Sequence, residues 1–179
     1  MKQLETERLV LRRFRKEDVD DLFEVTSNKK VAEASDFNVH ETKEDTLIEI
    51  ETAIQDYDTY DACWAIEEKA DHKVIGYINM INVSLKNKQC TLFWALNQNY
   101  WRLGYSEEIL KVLIKYLFEE HPFEIIIVKY YNDTHFDNHI LENVGMKRDA
   151  ILRYRRINSL TGEKDSLVIY SILKEEMNW

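Results

Sequence analysis

Proline occurs once in this chain, cysteine twice and glycine four times, and no stretch longer than thirteen residues (Gln89 to Trp101) is free of charge. Each scarcity excludes something. A single proline leaves no proline-rich linker, and so few glycines leave no low-complexity tract. The two cysteines, Cys63 and Cys90, stand far apart and outside any CxxC spacing. They frame no disulfide scaffold, and a reduced, cytoplasmic protein is expected. Thirteen residues fall short of the roughly 20 apolar ones that a bilayer-spanning helix needs. The first sixteen residues mix Glu5 and Glu7 with Arg8, Arg12, Arg13, Arg15 and Lys16. With no apolar segment there, no secretory leader is expected. Basic charge is also short: 24 Lys and Arg face 33 Asp and Glu, for a net charge of −9. Nucleic-acid binders carry a basic face, so that class is disfavoured, whereas an acidic envelope attracts cations, amines included.

What is present suits one domain over residues 1–179, with 45% apolar residues to fill a core. Alternation predicts a strand over Glu7 to Phe14. Helical spacing predicts helices over Lys16 to Ser27 and Glu44 to Tyr57. Cys63 to Glu68 and Val74 to Val83 read as a hairpin, with Cys90 to Leu96 as the next antiparallel partner. Ser106 to Glu120 shows polar residues only at Glu107, Lys111, Lys115 and Glu119 and their neighbours, the pattern of a helix packed on a sheet. The unbroken run Ile125 to Val128, inside Glu124 to Tyr131, marks a strand buried on both faces. Strand, long helix, strand is a crossover between parallel strands. A short helix over Asp137 to Val144 and strands over Ala150 to Ile157 and Ser166 to Leu173 complete the chain. The expected fold is α+β, an α/β three-layer arrangement. Its sheet is mixed and mostly antiparallel, of about seven strands, with one parallel crossover and helices on both faces.

Of the four glycines, Gly162 and Gly145 occupy a hairpin turn and a helix end, and Gly76 lies inside a strand, at a bulge or a close approach. Gly104 differs. It stands in Trp101-Arg102-Leu103-Gly104-Tyr105-Ser106, between a strand and the longest helix, with Ser106 available as N-cap. A helix N-terminus leaves backbone N–H groups without partners and carries about half a positive charge. A concave loop there gathers those amides around an anion such as a phosphate; a plain capped turn is the alternative.

These residues resemble the GNAT superfamily of N-acetyltransferases, in the branch that includes ribosomal-protein amino-terminal acetyltransferases. That family's loop reads Q/R-x-x-G-x-G/A, with Trp often first in this branch, as Trp101 is here. The resemblance covers nearly the whole chain. Leu4 to Arg12 is similar to the branch's opening, and Asp18 with Leu22-Phe23 to its first helix. Val74 to Ile78, Phe93 to Asn97, Ile140 to Met146 and Tyr170 to Lys174 follow in the family's order. The resemblance implies an acetyl-CoA site. The amides of Leu103, Gly104, Tyr105 and Ser106 would cradle the pyrophosphate, with Arg102 at the rim. The main chain of Ala95 and Leu96 would pair with the pantetheine where the parallel strands splay. Glu107 and Glu108 are expected to point away. The Ser106 hydroxyl either donates to a phosphate or caps the helix. The family's Asn, counted back from Gly145, falls on Thr134, and Asn132 two residues earlier is carried over in its place.

The proton-handling groups depart from the pattern. Where many members have a proton-donating Tyr, this chain has Leu141, with Glu142 beside it; where the ribosomal branch has a Ser, it has Asp137, a residue equally suited to an N-cap. Asp137 and Glu142 are the catalytic candidates, with Asp165 or a water chain as further bases. A lysine amine of pKa about 10.4 costs about 4.6 kcal/mol to neutralise at pH 7, an α-amine near 7.8 only about 1. A site without an obvious base therefore favours a protein or peptide α-amine as acceptor. Polyamines or amine drugs are the alternative within the class, and a non-catalytic acetyl-CoA sensor the alternative outside it. His135 and His139 have a metal-ligand spacing but flank the expected helix start, so no metal is expected. No membrane or nucleic-acid partner is expected, and the chain is read as a monomer or homodimer.

Overall fold

The computed structural model describes residues 1–58, 63–131 and 139–179. The chain begins with β1 (Leu4–Glu5) and β2 (Leu9–Arg12), then α1 (Val19–Thr26), α2 (Lys29–Ser35) and α3 (Lys43–Gln55). β3 (Cys63–Glu68), β4 (Lys73–Ser84) and β5 (Gln89–Leu96) form a meander, followed by α4 (Tyr105–Glu120) and β6 (Ile125–Tyr131). α5 (His139–Asn143), β7 (Lys147–Ile157) and β8 (Lys164–Leu173) close the fold. The eight strands form one sheet in the order β1-β2-β3-β4-β5-β6-β8-β7. Every neighbouring pair is antiparallel except β5 and β6, which the α4 crossover makes parallel.

Alternation along the strands sorts apolar side chains onto two faces. Trp64 and Ile66 of β3 join a core with α4 and α5, while Cys63 and Ala65 join one with α1, α2 and α3. In α4 the residues Ile109, Leu110, Leu113, Ile114, Leu117 and Phe118 are fully buried, and burial of each such side chain is worth roughly 1.5–3 kcal/mol. β4 breaks register twice, against β5 between Ile81 and Ser84 and against β3 near its start. Val74 pairs with Glu67 and Gly76 with Ile66, so Ile75 is an extra residue, a β-bulge. Its carbonyl accepts from the Asn97 amide at 2.8 Å, which ties the bulge to the end of β5.

Four details differ from the sequence reading. An eighth strand exists, the two-residue β1. A one-turn helix over Lys16–Asp18 precedes α1, because Asp18 is drawn inward by Arg12. β7 begins at Lys147, three residues early. Helix α2 was not anticipated; the Asn28 side chain caps it by accepting from the Lys30 amide at 2.9 Å. Asp137 lies outside the described residues, as do Asn132, Thr134 and His135.

Candidate active site

The parallel ladder between β5 and β6 has four registered pairs, Gln89–Ile125 to Leu92–Val128, and then stops. Past that point β5 stays with β4 as far as Leu96, and β6 stays with β8 as far as Tyr131. The two strands therefore diverge, and a cavity of about 670 Å³ occupies the wedge. It passes through the sheet. On the α4 side Trp94, Arg102, Gly104, Ser106 and Tyr130 border it; on the α1–α3 side Ser35, Asp36, Phe93, Tyr131 and Leu167 do.

Strand parity fixes which main-chain groups meet the wedge. The Lys88 carbonyl accepts from the Glu124 amide on the β6 side at 2.7 Å, while the Asn97 amide donates to Ile75 on the β4 side. Even-numbered residues of β5 thus present their peptide groups to the opening, odd-numbered ones to β4. Trp94 and Leu96 face the wedge. Ala95, expected to pair there, turns its carbonyl to β4, where a Cβ on Gly76 would lie 2.1 Å from it. The Leu96 carbonyl is already held by the Trp101 indole N–H at 2.8 Å.

The loop from β5 to α4 winds through two left-handed residues, Arg102 (φ 62°) and Gly104 (φ 81°). Left-handed backbone suits glycine and costs other residues roughly 1–2 kcal/mol. Gly104 is itself the N-cap of α4, and no side chain caps the helix. Of the two roles open to Ser106, the cap falls away: it sits one residue inside the helix and accepts from the Trp94 indole N–H at 3.3 Å. Its hydroxyl proton remains available to the cavity it borders. Among the described residues, the amides of Leu103, Gly104, Tyr105, Ser106 and Glu107 donate to no protein acceptor. Five consecutive free donors at the positive end of a sixteen-residue helix make an anion site.

Arg8 holds this loop from behind. Its guanidinium donates to the Leu103 carbonyl (2.9 Å) and to the Glu108 carboxylate (2.7 Å), and stacks over the Tyr105 ring at 4.2 Å. Glu108 also accepts from the Thr6 hydroxyl and the Arg8 amide. Burial pushes its pKa up, but these donors outweigh burial and hold it below the usual carboxylate value. Glu108 thus points away from the loop mouth, as expected. Glu107 does not: it borders the cavity, where Lys111 (2.7 Å) and Asn143 (3.1 Å) donate to it and lower its pKa.

Of the expected cofactor residues, Leu96, Arg102, Gly104 and Ser106 border the cavity, while Ala95, Leu103 and Tyr105 do not. Asn132 and Asp137 lie outside the described residues. Glu142 does not border the cavity either; its carboxylate accepts from the Tyr170 hydroxyl at 3.3 Å and meets His139 at 3.5 Å. Leu141 is fully buried, and Asp165 is buried against Arg156 at 3.0 Å. Burial raises the thiol pKa of both cysteines, Cys90 to about 12, which removes either as a ready nucleophile. Among the described residues no three His, Cys, Asp or Glu side chains gather into a metal site, and no helix is long and apolar enough to cross a membrane. Sequence reasoning missed Arg8, Tyr130 and the end of α2; only the Tyr130-Tyr131 pair, one residue past the Ile125–Val128 run, offered a signal.

A family model described as an acetyltransferase (GNAT) domain matches residues 8–147. An uncharacterized N-acetyltransferase of Bacillus subtilis (strain 168), YoaA, is 24% identical over 172 residues, 96% of each chain. Among solved structures, the RimL ribosomal L7/L12 alpha-N-protein acetyltransferase in complex with coenzyme A superposes with a TM-score of 0.82 at 15% identity, covering 96% of this chain and 98% of that one. Spermidine N-acetyltransferase from Vibrio cholerae, in complex with CoA and spermine, gives 0.81 at 14% identity, with 96% and 99% covered.

Proposed function

The chain belongs to the GNAT acetyltransferase family, and from that premise we propose that it transfers the acetyl group of acetyl-CoA to a primary amine, a protein or peptide α-amine first. The observation that carries this is the run of unpartnered amides from Leu103 to Glu107 at the mouth of a cavity that passes through the sheet. Acetyl-CoA supplies an activated acyl group as a thioester. The residues fit such a molecule: the Leu103–Glu107 amides and the Ser106 hydroxyl would hold the pyrophosphate, with Arg102 at the rim. The outward peptide groups of Trp94 and the Leu96 N–H would hold the pantetheine amides and polarise the acyl carbonyl. The amine would enter from the α1–α3 side, past Asp36 and Tyr131. Alignment of two reactants across one wedge is the main catalytic contribution, an effect that reaches about 7–11 kcal/mol in favourable cases.

Preference for an α-amine rests on its small cost of deprotonation, given that Leu141 offers no proton group and Asp165 is spent on Arg156. RimL acts on a ribosomal-protein α-amine and the Vibrio cholerae neighbour on spermidine, so both acceptor classes occur on this fold. One observation bears on the polyamine reading. Asp36 lines the α2 side of the cavity, beside the ion pairs of Arg156 with Glu33 and Asp165, so a carboxylate stands where a cationic acceptor would enter.

The test has two stages. Acetyl-CoA at about 100 times its Kd stabilises the folded state by about 2.7 kcal/mol, which for a chain of this size raises Tm by about 5–10 °C. Thiol release is then followed with a free-N-terminus peptide, an N-blocked lysine peptide and spermidine. Release with the first and a product heavier by one acetyl group is the expected result, with a rate that rises with pH and levels off near about 7.8. Spermidine alone as acceptor would favour the second reading. A melting shift with silence across the panel would leave an acetyl-CoA sensor, and no shift would overturn the site itself.

Arg8 gives a further prediction. Arg8→Ala removes the donors that hold the Leu103 carbonyl and Glu108, at a cost of about 1.5 kcal/mol of loop order. Coenzyme A affinity by titration calorimetry is expected to fall roughly tenfold, with kcat at saturating acetyl-CoA nearly unchanged. An equal fall in kcat would mean that Arg8 serves the reacting centre instead.

A further inference from the structure

The proposed reaction needs a path for the proton that the amine gives up, and the family's usual donor position holds the buried, protonless Leu141. Tyr130 is a hydroxyl-bearing side chain that lines the cavity. It stands two residues past Val128, the last rung of the β5–β6 ladder, at the point where the strands part. Its ring lies 6.1 Å from that of Tyr170, and the two phenols act on each other's protonation. Tyr170 is 1% exposed and donates in turn to Glu142 Oε1 at 3.3 Å. The Glu142 side chain is 55% exposed. The contacts thus lead from the cavity through a buried phenol to a carboxylate in water.

We propose that Tyr130, Tyr170 and Glu142 form a proton relay that carries the proton shed by the acceptor amine from the wedge to solvent at α5. The relay rests on the acetyl-transfer reading. Tyr130 Oη takes the amine proton as the Tyr130 proton moves to Tyr170 Oη and the Tyr170 proton moves to a Glu142 oxygen. Glu142 then yields a proton to water. The amine has lost one proton, water has gained one, and each relay group ends as it began, with both phenolic rotors ready to turn back. Burial raises the pKa of both phenols, so neither rests as a phenolate and transfer is concerted along the chain. The charged groups around it are His139 on α5, 3.5 Å from Glu142, and Arg148 on β7, the register partner of Tyr170.

Tyr130→Phe, Tyr170→Phe and Glu142→Gln are each expected to lower kcat by about 10²-fold, the lower end for assisted proton transfer, with KM for acetyl-CoA and the CoA-induced melting shift unchanged. The Tyr130→Phe/Glu142→Gln double variant is expected to fall no further than either single one, because the residues act as a unit. A readout without turnover accompanies these. In protein labelled with [13Cζ]tyrosine, the Tyr130 resonance is expected to move on Glu142→Gln and on Tyr170→Phe in the absence of any substrate. Full activity of Tyr170→Phe, or a Tyr130→Phe loss not shared by Glu142→Gln, overturns the relay. So does a Tyr130 resonance indifferent to both changes. Absence of the CoA-induced shift in the unaltered protein would instead overturn the transferase reading.

Discussion

Gly76→Ala is expected to destabilise the protein by about 3 kcal/mol, the upper end for an overpacked methyl group, and to weaken coenzyme A binding with it. The new Cβ would lie 2.1 Å from the Ala95 carbonyl, 2.9 Å from Leu96 Cδ2 and 3.0 Å from Leu96 Cα. Two of these three atoms are main chain of β5, so no rotamer change relieves the contact. The strands must separate at the Gly76–Leu96 pair, beside the bulge that anchors Asn97. Leu96 then shifts, and with it the Trp101 indole bound to its carbonyl and the start of the amide-bearing loop. The problem at Gly76 is space. At Gly104 it is conformation: φ is 81° there and the nearest atom to an added Cβ is Arg8 Nη2 at an ordinary 3.5 Å. Chemical denaturation together with a coenzyme A titration checks the prediction. A variant with wild-type stability and affinity would mean that β4 and β5 do not approach closely at this point.

The contrast between the two glycines also shows what the sequence can convey. The Gly104 loop was legible because its cause is local: a strand, a few residues of turn and a long amphipathic helix follow in order, and scarce glycine falls at the junction. The crossover and the meander were legible for the same reason, since hydrophobic period and short turns are properties of neighbours in the chain. The role of Ser106 stayed open between cap and phosphate donor because a good N-cap side chain and a left-handed glycine stand two residues apart, and sequence alone does not say which of them starts the helix. Helix α2 was invisible: in Lys29–Ser35 only Val31 and Ala32 are buried, too few to form a stripe. Contacts with a strand far along the chain support it, through the Arg156 guanidinium on the Glu33 carboxylate and carbonyl. Arg8 acts on Glu108 across 100 residues, and nothing within either segment announces it. Tyr130 could be placed on β6 but not at the wedge, because the position where a parallel ladder ends depends on both strands.

Arg12→Ala is expected to cost about 3–5 kcal/mol, the usual penalty for stripping one partner from a buried ion pair, out of a total that for domains is about 5–15. The Arg12 side chain is 7% exposed. It donates to both Asp18 oxygens at 2.8 Å and to Glu67 at 2.5 Å, and so ties β2 and β3 to the turn that starts α1. Without it two carboxylates remain buried and unneutralised. Lysine cannot substitute, since one ammonium does not span the two acids. Replacing Arg12, Asp18 and Glu67 together by Met, Asn and Gln should recover much of the loss, because no charge is then left stranded. The pH dependence separates this from simple loss of packing. Burial pushes the Glu67 pKa up, but the Arg12 and His72 hydrogen bonds win and hold it below its ordinary value. A depressed carboxylate stabilises the fold above its unfolded pKa, about 4.3, and that contribution is lost as pH falls through the folded value. The native protein should therefore lose stability on acidification below about pH 4.3. In Arg12→Ala burial dominates, the Glu67 pKa rises above its unfolded value, and the sign inverts: this group's contribution is then largest in acid and disappears as pH climbs. Urea midpoints collected from about pH 3.5 to 7 are expected to fall toward acid in the native protein and to fall less steeply in the variant, where other depressed carboxylates such as Glu107 and Glu108 still contribute. Parallel curves for the two proteins would show that Glu67 does not depend on Arg12 for its charge.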